Sequence, residues 1–152
     1  MNSSDLLDYY RQQACSRQWR GFLVALADEF DSALSSAELE RLMSRIGERF
    51  GRAHPLPAVE TLSDLQDAAN AVWSSTDWGR VKFDEQADQV RIQHAASPLS
   101  TVLGARVGWD TGFLEGVYRQ WFRAAGMVSV LDIRCIHSDK TDVAIYTLSR
   151  VF

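Results

Sequence analysis

Residues 113–122 read FLEGVYRQWF, and with Arg123 they place a carboxylate, a phenol and two guanidinium groups among large aromatics. Glu115 and Tyr118 lie about one helical turn apart, where a base and a proton donor could cooperate in general acid–base chemistry. The same spacing sets Leu114, Val117, Tyr118, Trp121 and Phe122 on one helical face. Burying each of those side chains contributes on the order of 1.5–3 kcal/mol. Glu115, Arg119 and Arg123 then fall on the other side as an i, i+4 ion-pair ladder, worth only about 0.2–0.5 kcal/mol per pair. The spacing favours a core helix over a reaction site.

Other reactive side chains are no better arranged for chemistry. His54, His94 and His137 sit in three separate elements, without the i, i+4 spacing of a helical metal pair, and no Cys-x-x-Cys is present. They read as structural or solvent-facing histidines, with no metal implied. SDKTD, residues 138–142, carries two carboxylates but lacks the length and spacing of a calcium loop, so it reads as a hairpin turn. GARVGWDTG, residues 104–112, has neither the Lys-Ser/Thr end nor the glycine spacing of a phosphate loop. No Gly-x-Ser-x-Gly elbow occurs, and Cys15 and Cys135 read as unpaired, buried or idle thiols. Nothing in these patterns calls for a cofactor or a catalytic residue.

Binding chemistry is more plausible near the start of the chain. YYRQQACSRQW, residues 9–19, combines Tyr9, Tyr10, Arg11, Gln12, Gln13, Arg17, Gln18 and Trp19. Aromatic faces suit the C–H faces of pyranose rings, while amides and guanidinium groups bond sugar hydroxyls. The competing reading is an amphipathic helix that docks on its own fold or on a neighbouring subunit, and composition alone favours that second reading.

The whole chain narrows the classes further. Its 152 residues suit one domain, and 46% hydrophobic with 24% charged residues is ordinary for a globular protein. A net charge of −4, with arginines scattered among carboxylates, argues against nucleic acid as the main partner. No run approaches the roughly 18 apolar residues of a membrane span. MNSSDLLDYYRQQ lacks the basic start and apolar stretch of a secretory signal, so a cytoplasmic protein is expected, with the periplasm as the alternative.

The elements that must hold these residues follow from hydrophobic period. Leu6, Leu7, Tyr9 and Tyr10 suggest a brief amphipathic helix capped by Ser3 or Ser4. Phe22, Leu23, Leu26 and Phe30 recur at helical spacing after Trp19. Ser35 with Glu38 forms a capping box ahead of the stripe Leu39, Leu42, Met43, Ile46 and Phe50, which HPLP at residues 54–57 ends. Thr61 and Asp64 cap a helix carrying Leu62, Leu65, Ala69, Val72 and Trp73. At residue 80 the period drops to two. Val81 and Phe83 alternate with Arg80, Lys82 and Asp84, and Val90 and Ile92 with Arg91 and Gln93, giving a hairpin. Pro98 through Gly104, Gly108 and Gly112 reads as a connection. A helix of about five turns then ends near Gly126, and two strands close the chain. The predicted class is α+β: N-terminal helices packed on a four-stranded antiparallel sheet made of two hairpins separated by a long helix.

DWGRVKFD (77–84), QVRIQH (89–94) and FLEGVYRQWF (113–122), in that order, resemble the D subunit of bacterial cellulose synthase. The likeness covers about residues 19–152, leaving residues 1–18 as an N-terminal arm before a single α+β domain. The resemblance implies a non-catalytic accessory protein of cellulose biosynthesis. It implies dimers joined into a cylindrical homo-octamer, whose internal passages accommodate nascent β-1,4-glucan chains. Other subunits of the synthase complex are the implied partners. Tyr9, Tyr10, Arg11, Gln12 and Gln13 are then candidate glucan-contacting positions, because they precede the matched core. The runner-up is a small-molecule-sensing or scaffold domain resembling the vinyl-reductase-like and transport-particle domains, for which Cys135 in a closing strand would be the marker. A closed apolar cavity inside one subunit would favour that reading.

Overall fold

Side chains that accept hydrogen bonds from the first free amides set the helix starts. Ser16 Oγ accepts from Gln18 N at 3.2 Å and opens α1 (Arg17–Ala33). Ser35 and Glu38 make the expected reciprocal capping box, at 3.2 and 2.9 Å, and open α2 (Ser36–Ala53). Thr61 Oγ1 accepts from Asp64 N at 3.0 Å and opens α3 (Leu62–Thr76). The structure, a computed structural model, describes residue 3, residues 5–6, and residues 15–104, 108–127, 130–136 and 143–150.

Beyond α3 come β1 (Arg80–Glu85), β2 (Val90–Ala95), a short α4 (Pro98–Leu103), α5 (Asp110–Ala124), β3 (Leu131–Ile136) and β4 (Val143–Arg150). The fold is α+β, as the change of period predicts. Two antiparallel hairpins join through β2 and β4 into one sheet of order β1-β2-β4-β3. The register aligns Val81 with His94, Phe83 with Ile92, Ile92 with Tyr146 and Ile133 with Leu148. Those residues are all buried on one face, because side chains two apart on a strand share a face.

α5 lies between that face and α2. Leu114, Val117, Tyr118, Trp121 and Phe122 are all buried, as the helical spacing requires. The helix also buries Gly112 and Gly116 against Met43 and Ser44 of α2, and α2 in turn sets Gly47 and Gly51 against Phe113, Val117 and Gln120 of α5. A Cβ on Gly47 would overlap the Phe113 carbonyl oxygen, and one on Gly116 would overlap that of Ser44. The backbones cross at glycine-to-backbone contact.

The region expected to be a connection is partly helical. Residues 98–103 form α4, and Gly112 belongs to the first turn of α5. Its small size serves the crossing with α2, which the local sequence could not reveal. α5 spans 15 residues, about four turns and not five, and ends in a Schellman motif. Met127 N bonds Phe122 O at 2.9 Å and Gly126 N bonds Arg123 O at 3.1 Å, with Gly126 at φ 105°. Gly126 is thus the left-handed residue just past the cap.

α1 is more loosely held. Its aromatic Phe30 stacks on Trp109 with centroids 5.3 Å apart, and Ala27 is buried. Trp19 and Phe22, however, are 57% and 56% exposed and meet edge to face at 5.9 Å.

Candidate functional site

The polar residues of the buried helix do not converge on a reaction centre. Tyr118 is fully buried, and its hydroxyl accepts from Trp73 Nε1 at 3.1 Å. It lies 2.5 Å from His94 Nδ1, while His94 Nε2 lies 2.6 Å from the Trp78 carbonyl. A carbonyl only accepts, so Nε2 carries the imidazole proton and Nδ1 accepts from the tyrosine. Burial holds the His94 ring down to about 4, despite the Trp78 carbonyl, and burial pushes the Tyr118 phenol well up. The result is a neutral relay from Trp73 through Tyr118 and His94 to Trp78, with every donor matched. It fixes three side chains, those of Trp73, Tyr118 and His94, and these are sealed from solvent. His54 caps the end of α2 in a similar structural role, with Nδ1 3.1 Å from Phe50 O and its ring stacked on Phe50.

Glu115 does not pair with Tyr118. It accepts from Arg119 Nη2 at 2.7 Å, and the same guanidinium reaches three other groups. Nε donates to Asp132 Oδ1 at 2.7 Å, Nη1 to Ser44 Oγ at 2.8 Å, and Nη2 also to the Ile133 carbonyl at 3.1 Å. Burial raises the Asp132 carboxyl, but the bonds and charge from Arg119 outweigh it and hold the group below the usual carboxylate range. Glu48 of α2 lies 4.0 Å from Arg119 Nη1 and 3.8 Å from Arg123 Nη1. The expected exposed ladder is therefore a half-buried clamp between α5, α2 and β3. Sequence spacing identified Glu115–Arg119, whereas Asp132, Ser44 and Glu48 required the tertiary fold.

Three clefts lined by described residues bear on the question of a site. One, of about 330 Å³, lies between the Pro55–Leu56–Pro57 segment and α5, with Arg52, Gln120 and Trp121 on its walls. HPLP, read from sequence as a helix breaker, also builds this wall. A neighbouring cleft of about 280 Å³ is lined largely by apolar side chains, among them Val59, Phe122, Met127 and Leu131. The third, of about 270 Å³, is formed by Glu40, Thr111, Gly112, Glu115, Arg134 and Cys135. The marker expected for an apolar sensor pocket thus faces a charged, open cleft. Shielding of the Cys135 thiol, followed by the charges of Glu115, Asp110 and Glu40, pushes it up to about 11, so it stays protonated. Cys15 and Cys135 are both free; Cys15 is half-buried and Cys135 exposed. Among the described residues, no three His, Cys, Asp or Glu side chains are grouped to hold a metal.

Tyr9, Tyr10, Arg11, Gln12 and Gln13 lie outside the described residues, as do His137 and SDKTD. Of the N-terminal cluster, Arg17, Gln18 and Trp19 fall in the first turn of α1 and are exposed. Phe22 joins Trp19 one turn later, and its i+3 spacing was the available signal for an exposed aromatic pair. No helix among the described residues is long and apolar enough to cross a membrane.

A family model described as the D subunit of cellulose synthase matches residues 5–147. The chain is 34% identical over 104 residues to a cellulose synthase operon protein D of Komagataeibacter xylinus, an alignment covering 66% of each chain. The corresponding protein of Komagataeibacter sucrofermentans matches equally, at 34% over 104 residues. These alignments span just under two thirds of either relative.

Proposed function

The chain belongs to the family of the cellulose synthase D subunit, and on that premise we propose that it is a non-catalytic accessory protein acting on nascent β-1,4-glucan. Its copies join as dimers into an octameric cylinder, which guides glucan chains during export or crystallisation into a biofilm matrix. Residues 1–18 serve as an arm on the domain formed by residues 19–152. Tyr9, Tyr10, Arg11, Gln12 and Gln13 line the glucan path, and the assembly works beside other components of the synthase on the cytoplasmic side.

The observation that carries this reading is how fully the family-marker helix is committed to the fold. Tyr118 is sealed against His94, and Arg119 is clamped to Glu115 and Asp132. A helix used in this way supports a scaffold more readily than an enzyme. A guiding surface also asks for weak contacts, since a polymer that must slide cannot be trapped. A contact of about 4 kcal/mol corresponds to a dissociation constant of about 1 mM. Tyrosines and glutamines on an arm suit that range better than a deep pocket.

Native mass spectrometry of the full chain tests the assembly: a mass of eight chains is expected, and a monomer at working concentration refutes the cylinder. Titration of soluble cello-oligosaccharides tests the arm. Weak binding by the full chain and its loss on deleting residues 1–18 is the expected pair; equal binding by both sinks the arm assignment.

A further inference from the structure

Among the described residues, β1 and β3 are the outer strands of the sheet, so each presents a row of backbone groups with no strand beside it. Such rows are templates for pairing with another chain. Here side chains occupy the middle of each row. On β1, Asn70 Nδ2 donates to the Val81 carbonyl at 2.9 Å and Asn70 Oδ1 accepts from Val81 N at 2.8 Å. One primary amide thereby reproduces both bonds that a neighbouring strand residue would make. Gln66 Oε1 accepts from Phe83 N at 2.8 Å.

The spacing explains why one helix can do this. Gln66 and Asn70 are i, i+4 on α3, a rise of about 6 Å. Val81 and Phe83 are two apart on β1, a rise of about 6.6 Å. The two amides therefore step along the strand in register, and Asn70 is itself buried. On the opposite edge the chemistry differs but the effect is the same. Asp132 Oδ1 accepts from Ile133 N at 2.8 Å, and Arg119 Nη2 donates to the Ile133 carbonyl at 3.1 Å. Arg119 Nε also holds that Asp132 oxygen at 2.7 Å. The Ile133 capping falls midway between Val130 and Ile136, which are 55% and 42% exposed. Those two would otherwise favour a symmetric pairing of β3 with a second β3, since Asp132 and Arg134 also lie equally spaced about Ile133.

We infer that Gln66 and Asn70 on one edge, and Arg119 with Asp132 on the other, stand in for absent strands and close the sheet to strand addition. A second copy of this chain, or any protein partner, then joins through surfaces other than the strand edges. The inference concerns which faces are withheld and holds whether or not the assembly is a cylinder.

Amide hydrogen exchange on the full chain tests it directly. Val81, Phe83 and Ile133 should exchange at least about 100-fold more slowly than exposed amides, although they face outward from the sheet edges; exchange at unprotected rates overturns the proposal. In Asn70→Leu the Val81 protection should fall at least about tenfold with Ile133 unchanged, and Arg119→Gln should do the reverse. Native mass measurements complete the test. Folded Asn70→Leu and Arg119→Gln should gain concentration-dependent mass above the parent's. Glu85→Pro or Cys135→Pro on the same edge should reverse it, because these amides share the outward phase of Val81 and Ile133. Dissociation of the parent's assembly by either edge proline overturns the proposal, as does a folded unguarded variant that keeps the parent's mass. If the unguarded variants do not fold, the exchange rates in the parent and the edge prolines still decide.

Discussion

Gly→Ala at three helical positions should change sign with position alone. In an exposed helix interior this substitution stabilises by about 1 kcal/mol, because glycine has the greater backbone entropy to lose. Gly21 of α1 has nothing within 4 Å of an added Cβ, so Gly21→Ala should gain close to that amount. At Gly116 the added Cβ would overlap the Ser44 carbonyl oxygen and sit 2.8 Å from its carbon, both backbone atoms of α2. Backbone cannot rotate aside, so α2 and α5 must separate. Overpacking of this kind costs about 1–3 kcal/mol and sometimes more. The propensity gain offsets about 1 kcal/mol, and separation also lengthens the Arg119–Ser44 bond of 2.8 Å. With about 1 kcal/mol for that bond, a net loss of about 1–3 kcal/mol is expected, or about 2–12 °C in Tm for a chain of this size. Gly51 provides the intermediate case: its Cβ would meet Gln120 Cβ and Cγ at 3.0 Å and the Val117 carbonyl oxygen at 3.3 Å, contacts relieved by a shift of a few tenths of an ångström, so Gly51→Ala should fall between the other two. Urea unfolding followed by tryptophan fluorescence, at one fixed protein concentration, measures all three. A Gly116→Ala protein as stable as its parent would refute close backbone crossing. Gly47→Ala added to Gly116→Ala should cost less than the sum of the two, since both relax the same crossing.

The remaining expectations concern titration and the clamp. His94 is held at about 4 in the folded chain against an ordinary 6.5, so the unfolded chain takes up the proton first. Its contribution is therefore complete above pH 6.5, falls as pH drops and is lost by about pH 4, a total of about 3 kcal/mol. Denaturation between pH 7 and 5 should show this slope in the parent and lose it in His94→Gln; equal slopes would refute a buried neutral ring. Arg119→Met leaves Glu115 and Asp132 without their cation and should cost about 3 kcal/mol, whereas Arg119→Lys should recover part of it, as read by thermal unfolding. Cys135, held up to about 11, should react slowly with a disulfide reagent at pH 8 in a Cys15→Ser background, with the rate still climbing above pH 9. A plateau below pH 9 would contradict a protonated thiol.

Legibility followed the range of the interaction. Ser35 and Glu38 lie three residues apart, and their capping box was readable because both partners sit within one helical turn. Proline at residues 55 and 57 and the change of period at residue 80 are equally local, so the end of α2 and the start of β1 were expected where they occur. Family membership was legible because short motifs retain their order along the chain. Gly112 was misplaced into a connection because its reason for being glycine is Met43 and Glu40 on a different helix. Arg119 was read as part of a surface ladder for the same reason: Ser44 and Asp132 are 75 and 13 residues away.

The residue order by itself determined the types of α1, α2, α3, α5 and the four strands, though not α4, together with the buried face of α5, since periodicity and short motifs are properties of neighbouring residues. Only the tertiary structure decided the strand order β1-β2-β4-β3, the seat of His94 and the partners of Arg119. Those depend on which surfaces meet, and side chains far apart along the chain acquire their partners only when the helices and the sheet close on one another.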